Sequence, residues 1–331
     1  MRNKVEINRI RTKIVSILSK GSFVSGEDLA QTLNLSRSAI SNHIKALVAL
    51  GLDIYTVKGR GYKLSQAIVM LDANKISSLI NKPSAETLIH IENIISSTND
   101  VLKKDAVNLQ NGACILAEAQ TAGRGRRGRT WVSPFGASIY MSMLWRFESG
   151  YQSMAGLSLV IGIAVIRTIA GLGYASCQLK WPNDVYANQK KLCGILIEVE
   201  GQVGGSTDAI IGIGVNVQLP SDIEGIEQAY TDLSTVAGRS IDRNELAARL
   251  IENVWQILPV FEQEGLRPFL PEWEQADLFY NQAVELMSGN QRIKGVCKGV
   301  DSSGALLLEN EGSIKSYHGG EISVRRSQLV S

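Results

Sequence analysis

Gly123, Gly125 and Gly128 stand in the spacing G-x-G-x-x-G within "AEAQTAGRGRRGRTWVSPFG", residues 117–136. In the dinucleotide fingerprint a helix directly after such glycines offers its N–H groups and dipole to a pyrophosphate. Here Trp131, Pro134 and Gly136 follow, and then Ile139, Met141, Met143 and Trp145 alternate with Tyr140, Ser142 and Leu144 as in a strand. The preceding "ACILAEAQ" is a short apolar run that reads as a second strand. The glycines therefore join strand to strand, and the dinucleotide reading fails on context. What remains is a loop carrying Arg124, Arg126, Arg127 and Arg129, with no acidic residue between Gln120 and Trp131. Glycines let backbone approach a ligand closely, and guanidinium forks suit carboxylate and phosphate oxygens. On these residues alone, a solvated basic loop or a nucleic-acid-binding arm fits equally well.

Three further stretches carry polar groups on a similar scaffold. "SSTND", Ser96 to Asp100, is a polar patch able to begin a helix. "LKWPNDVYANQKKLCGILIEVE" sets Lys180, Trp181, Asn183 and Asp184 before a turn, with Lys191 and Gly194 at the start of the next strand. "AIIGIGVNVQLP" ends an apolar strand in Gly212, Gly214 and Asn216. Each is weak by itself, because a lysine after a turn is usually solvated and a strand glycine often marks close packing.

The elements that must position these residues follow from periodicity. Ile7, Ile10, Ile14, Ile17 and Leu18 repeat at helical spacing. "SGEDLAQTLNLSRSAISNHIKALVALG" then follows the helix-turn-helix pattern, with Leu29, Ala30 and Leu33 inward, a turn at Asn34 and Ser36 capping the second helix. Ile40, Ile44 and Leu47 face the core, leaving Arg37, Ser38, Ser41, Asn42 and Lys45 outward as on a recognition helix. "LDIYTVKGRGYKLS" alternates around Gly59-Arg60-Gly61, a basic hairpin wing. A linker near Ser65 to Ala73 leads into a body of short strands with two or three helical stretches, a mixed α/β domain. Its clearest helix is "IDRNELAARLIENVWQILPVFEQEG", with Leu246, Leu250, Ile251, Val254 and Leu258 on one face. After Asp277, short strands broken by SGN, DSSG and NEG turns read as a small β-barrel.

Composition narrows the classes. The 331 residues are 44% hydrophobic and 20% charged, an ordinary globular balance long enough for two or three domains. The net charge of +2 is uneven: residues 1 to 65 hold eleven Lys/Arg against four Asp/Glu, leaving about −5 for the rest. A basic head on a mildly acidic body points to nucleic-acid contact by the head alone. Cys114, Cys177, Cys193 and Cys297 are scattered, as are His43, His90 and His318. That spacing favours reduced thiols in a cytoplasmic protein and offers no metal site. The N-terminus lacks the apolar core of a signal peptide, and "GLSLVIGIAVIRTIAGLG" is interrupted by Arg167 and glycines, so it reads as a buried helix.

Taken together and in order, "STN", "GRGRRGR.W", "KWPNDVY", "KL.GIL.E" and "IGIGVNV" resemble the biotin protein ligases. The helix-turn-helix before them resembles the bifunctional kind that also represses biotin-synthesis genes, and "GGEIS" at Gly319 to Ser323 carries the likeness into the C-terminal barrel. The resemblance implies an α+β multidomain chain: a winged helix-turn-helix over 1–65, a catalytic domain of the class II aminoacyl-tRNA synthetase-like type over 66–277, and an SH3-like barrel over 278–331. It implies two steps, in which biotin and ATP (with Mg²⁺) give biotinyl-5′-AMP, and a lysine of biotin carboxyl carrier protein then takes the biotin. It further implies operator DNA as a partner, a homodimer when the adenylate is bound, and no membrane.

Carried over by position, Ser97, Thr98, Asn99 and Gln120 would flank the ureido ring of biotin. Arg124, Gly125 and Arg126 would hold the carboxylate and the adenylate phosphate, with Lys191 bonding both. Arg127, Arg129, Trp131 and Asn216 would lie by the nucleotide, Lys180 would support its phosphates, and Asp184 would orient the incoming amine. Glu321 and Arg325 of the barrel would assist with the nucleotide, and Arg37, Ser38, Ser41, Asn42, Lys45 and Arg60 would meet DNA. The loop itself would be a mobile lid that closes over a reactive mixed anhydride. Two departures from the pattern are Thr130, where lysine is common, and Cys193, where alanine is common; a buried, inert thiol is expected. A lipoate ligase shares the implied fold and chemistry, and a non-catalytic biotin-sensing regulator is the alternative from another class.

Overall fold

A computed structural model describes residues 2–66, 68–81, 88–148, 154–174, 177–201, 206–221, 223–288, 291–319 and 322–327. The head begins with α1 (Arg2–Leu18), α2 (Gly26–Leu33) and α3 (Arg37–Val48), followed by a hairpin of β1 (Ile54–Val57) and β2 (Gly61–Leu64). Ser25 and Ser36 cap α2 and α3, accepting from the Asp28 and Ala39 N–H groups at 3.0 and 3.2 Å. Asn34 turns the chain between them at φ 53°, a left-handed conformation asparagine tolerates better than most residues. Ile14, Leu18, Leu29, Ile40, Ile44 and Leu47 form the core that the periodicity predicted.

The body centres on a seven-stranded sheet in the order β3-β4-β5-β9-β8-β7-β6. The strands are β3 (Ile89–Ile95), β4 (Cys114–Gln120), β5 (Ser138–Phe147), β6 (Cys177–Lys180), β7 (Asp184–Ala187), β8 (Lys190–Gly201) and β9 (Thr207–Asn216). Among the described residues of this sheet, only the β3–β4 strand pair is parallel. The apolar helix α6 (Leu157–Gly171) and the long α8 (Arg243–Glu264) pack in the large core with Met141 and Met143, while the opposite face holds a smaller cluster of Leu102, Ile115, Leu144 and Ile210. Leu102 belongs to α5 (Thr98–Asp105), so a single strand such as β5 serves two cores by period-2 alternation.

The sequence led us to expect two or three helical stretches in the body; the described residues contain six. α4 (Ala73–Ser78), α7 (Leu233–Ala237) and α9 (Leu270–Ala276) are only five to seven residues long, too short to establish a period. The linker also differs from the expected plain connection. The carbonyls of Val69 and Met70 accept from Arg243 and Asn244 at 2.8 and 3.1 Å, and the Leu71 N–H donates to Glu118 at 2.6 Å. Arg243 pairs with Glu118 at 2.7 Å, both side chains nearly fully buried. Removing either partner would strand a buried charge, at a cost of about 3–5 kcal/mol. The head meets the body where Asn8 Nδ2 donates to the Ile94 carbonyl at 2.7 Å and Phe135 enters the head's own core.

The C-terminal strands β10 (Ala283–Ser288), β11 (Gln291–Val300), β12 (Leu306–Asn310), β13 (Ser313–Tyr317) and β14 (Ile322–Arg326) form an antiparallel sheet in the order β13-β12-β11-β10-β14. No helix among the described residues is long and apolar enough to cross a membrane.

Candidate active site

The glycine-arginine segment connects β4 to β5, strand to strand, as its context required. It folds back as a narrow hairpin: Arg124 and Thr130 are bridged, and the N–H groups of Gly125 and Trp131 donate to the Arg129 and Gly123 carbonyls at 2.7 and 2.9 Å. Arg127 sits at its tip at φ 59°. Beside it opens a cleft of about 980 Å³, within the range of small-molecule sites.

Gly194, Gly212 and Gly214 line the cleft. Across the sheet, Tyr140, Gly214, Gly194 and Asp184 lie in register, and Ser142, Gly212 and Leu196 form the next row. A β-carbon on Gly214 would fall 2.6 Å from the Trp131 indole, and one on Gly212 would strike the Asn99 amide. A β-carbon on Gly194 would fall 2.8 Å from the same indole, so Trp131 rests against Gly214 and Gly194, and its Nε1–H has no hydrogen-bond acceptor among the described residues. A buried donor in a polar cleft fits a ligand that brings acceptors, as a nucleotide does.

One end of the cleft is uncharged. Thr98 N–H and Oγ1 contact Gln120 Oε1 at 2.9 and 3.3 Å, and Gln120 Nε2 donates to Ser133 Oγ at 3.0 Å. Ser97, Thr98 and Asn99 are buried at the start of α5. The other end is cationic. Lys191 Nζ lies 2.8 Å from Asp184 Oδ1 and 5.4 Å from the Trp131 ring centroid. Lys180 Nζ donates to the Tyr186 hydroxyl at 3.0 Å, and burial holds its ammonium below the usual lysine range. Arg126 Nη1 donates to Asn183 Oδ1 at 3.0 Å and Nη2 to the Gly319 carbonyl, so the loop reaches the connection between β13 and β14. Burial also lowers the Arg126 guanidinium from its ordinary value. This arrangement suits a carboxylate and a phosphate drawn together beside an apolar-floored polar pocket.

Of the residues named from sequence, Ser97, Thr98, Asn99, Gln120, Gly125, Arg126, Lys180, Asp184 and Lys191 all line this cleft, as do Arg127, Arg129, Trp131 and Asn216. Two differ from expectation in what they hold. Arg124, expected on the ligand carboxylate, is engaged by Asp100 at 2.6 Å and Glu198 at 3.2 Å, and the hydrogen bond to Asp100 raises its pKa. Asn216 Nδ2 donates to the Thr231 carbonyl at 3.0 Å, fastening the 229–231 segment that lies beside Lys191. Arg325 lines the cleft, whereas Glu321 lies outside the described residues. Asn183, Tyr186, Glu198 and Ser142 received no role from sequence; the first three fall in or beside motifs whose order was informative while their partners were not. Cys193 is fully buried, as expected, and burial pushes its thiol upward. In the head, Arg37, Ser38, Asn42 and Lys45 are exposed and Ser41 half-buried, and the Arg60 guanidinium stacks 4.4 Å from the centroid of Phe23.

Comparison with known proteins agrees with this geometry. Residues 91–216 match the biotin/lipoate A/B protein ligase family, residues 10–63 an HTH domain, and residues 279–325 the biotin protein ligase C-terminal domain. The sequence is 44% identical to the bifunctional ligase/repressor BirA of Escherichia coli over 322 residues, covering 97% of this chain and 99% of the relative. It is 30% identical to the bifunctional ligase/repressor BirA of Bacillus subtilis, covering 95% and 98%. The structure of biotin protein ligase from Aquifex aeolicus in complex with biotin and ATP is 31% identical, with a TM-score of 0.65, covering 72% of this chain and 99% of that one.

Proposed function

The chain belongs to the biotin protein ligases, in their bifunctional ligase/repressor branch, and on that premise we propose how its cleft and its head divide the work. It is an ATP-dependent biotin–protein ligase that is also a DNA-binding repressor. In the first step a biotin carboxylate oxygen attacks the α-phosphorus of ATP and pyrophosphate leaves, giving biotinyl-5′-AMP. In the second, a neutral lysine amine attacks the acyl carbon, the acyl–phosphate bond breaks, and AMP departs as the amine loses a proton. Neither step needs a protein nucleophile; both need developing negative charge met by fixed donors.

The observation that carries this reading is the convergence of Arg126, Lys180 and Lys191 on one end of a cleft whose other end is the uncharged Thr98–Gln120 pocket. In the proposal, Ser97, Thr98, Asn99 and Gln120 receive the ureido ring. Lys191 and Arg126 receive the carboxylate and α-phosphate, Lys180 the phosphates, and Trp131, Arg127 and Arg129 the nucleotide. Asp184, held by Lys191, orients the incoming amine. Mg²⁺ accompanies the nucleotide.

The finer assignments belong to the same proposal. The acceptor is a lysine of biotin carboxyl carrier protein. The repressed genes are those of biotin synthesis, and the adenylate serves as corepressor by favouring a homodimer. The chain divides at about 65 and 277, with a synthetase-like central fold and an SH3-like C-terminal barrel, and works in the cytoplasm. Labelled biotin with ATP and Mg²⁺, with and without a carrier domain, tests the enzyme; lipoate in parallel tests the acid. Pyrophosphate release with biotin and label on one carrier lysine is the expected result. No label from folded protein at saturating substrates, or preference for lipoate, would overturn it.

A further inference from the structure

Arg124 is the first arginine of the loop, yet its guanidinium faces two carboxylates. Nη1 donates to Asp100 Oδ2 at 2.7 Å, and Nη2 lies 3.2 Å from both oxygens of Glu198. Glu198 has a second client. Its Oε2 accepts from Asn99 Nδ2 at 2.7 Å, which forces the amide oxygen of Asn99 to point the other way. That oxygen lies 2.5 Å from the Ser142 hydroxyl, itself 2.7 Å from Thr98 Oγ1, and Thr98 donates to Gln120. Gln120 then reaches Ser133, whose hydroxyl donates to the Trp131 carbonyl at 2.9 Å. A continuous hydrogen-bond path therefore starts at the incoming stem of the loop, crosses the floor of the uncharged pocket, and ends at the outgoing stem.

We infer that Glu198 is a positioning residue for the adenylate, acting through Arg124 and Asn99 without touching the ligand. It has two effects. It keeps the Arg124 guanidinium at the outer edge of the stem, away from the cationic end where Arg126 and Lys191 lie. It also fixes which face of the Asn99 amide is presented, so that the pocket's pattern of donors and acceptors is set before the ligand arrives. An amide that could flip would present the wrong pattern half the time, and a stem without its anchor would open more often. The sheet explains why this residue reaches both: Glu198 on β8 is paired with Ile210 on β9, which is paired in turn with Leu144 on β5, one row beyond Ser142.

The inference rests on the ligase reading, and the test separates the two. Adenylate synthesis is followed by pyrophosphate release, and adenylate retention by the rate at which preformed labelled adenylate leaves the full chain. Glu198→Gln keeps the shape but has only one acceptor oxygen for two clients. We expect its adenylate to leave about tenfold faster and its KM for biotin to rise by a similar factor, with kcat for adenylate synthesis changed by less than about threefold. Arg124→Gln should also speed release, and the double variant should release more slowly than the product of the two single effects, because both changes cut the shared Arg124–Glu198 link. If wild-type protein makes no adenylate, the ligase reading fails. If it does and Glu198→Gln retains adenylate as wild type, or the two substitutions multiply, the positioning role is wrong.

Discussion

Trp131 lies against the bare backbone of Gly214, so close that a β-carbon there would fall 2.6 Å from its indole. The same ring is 2.8 Å from the position a β-carbon would take on Gly194, the neighbouring strand's partner in register. Two glycines side by side thus make a seat for one aromatic ring. The ring in turn forms a wall of the cleft and carries the Lys191 ammonium over its face. Gly214→Ala should displace the indole while leaving the strand paired, since Gly214 has extended backbone like its neighbours. We expect the KM for ATP to rise about tenfold or more, with a shift in tryptophan emission and little loss of melting temperature. Unchanged ATP kinetics in this variant would mean that the ring is not part of the nucleotide site.

Arg126 is held by Asn183 and by the carbonyl of Gly319, which ties the loop to the connection between β13 and β14. Arg126→Gly should remove both ties and a positive charge at the cationic end of the cleft. The adenylate should then escape before a carrier reaches it, and lysines on bystander proteins should become labelled. Asn183→Ala should move release in the same direction by a smaller factor, because it removes only one of the ties. Bystander labelling can be read by mass spectrometry; tight retention of the adenylate by Arg126→Gly would contradict the role given to this residue.

The sequence made much of this site visible because its motifs are local. The alternation of β5, the Ser36 cap of the head and the apolar face of α8 each follow from periods or spacings a few residues long. What stayed hidden is what long-range contacts decide. Arg124 and Glu198 are 74 positions apart, Arg126 and Asn183 are 57 apart, and nothing local marks either as a pair. The resemblance therefore gave Arg124 and Arg126 one shared ligand, whereas folding gives Arg124 to a pair of carboxylates and Arg126 to Asn183. The fastened linker was hidden for the same reason, since Arg243 reaches Val69 across 174 residues.

Asp277 is buried where the C-terminal segment joins β6. One carboxylate oxygen accepts from the Phe279 N–H at 2.9 Å, the other lies 3.8 Å from Cys297 Sγ, and Leu278 donates to the Leu179 carbonyl beside Lys180. Burial raises its pKa to about 6, from 3.8, with the nearby Glu274 charge adding to the rise. A raised folded-state pKa means that the folded chain binds this proton more tightly than the unfolded chain. The resulting stabilisation is complete below about pH 4 and is lost as pH climbs through 6. Two pH units correspond to at most about 3 kcal/mol. Asp277→Asn keeps an acceptor for Phe279 and removes the charge, so it should melt several degrees higher than wild type at pH 8 and about the same at pH 4. An equal difference at both pH values would show that the carboxylate's ionisation is not involved.

The basic head should read DNA in a manner that depends on the ligase's own product. Arg37, Asn42 and Lys45 are exposed on one helix, and Arg60 is exposed on the wing with its guanidinium against Phe23. The Arg37 contact to Glu27, 3.7 Å between groups that are both more than 70% exposed, is too weak to withhold that arginine from a phosphate. One helix-turn-helix covers only a few base pairs, so useful specificity needs two heads fixed by a twofold axis. A footprint over an inverted repeat should therefore strengthen when biotin and ATP are supplied together, because adenylate bound in the cleft would favour the dimer. Lys45→Ala and Arg60→Ala should each weaken that footprint and lower the salt dependence of binding by about one counterion, while adenylate synthesis is unaffected. Deleting residues 1–65 is a harsher test than it first looks: Phe135 and Ile94 are buried in the head's core and would be left bare. The point variants are cleaner for that reason. A footprint that is indifferent to biotin and ATP, from protein that makes adenylate normally, would show that head and ligase share a chain without sharing a signal.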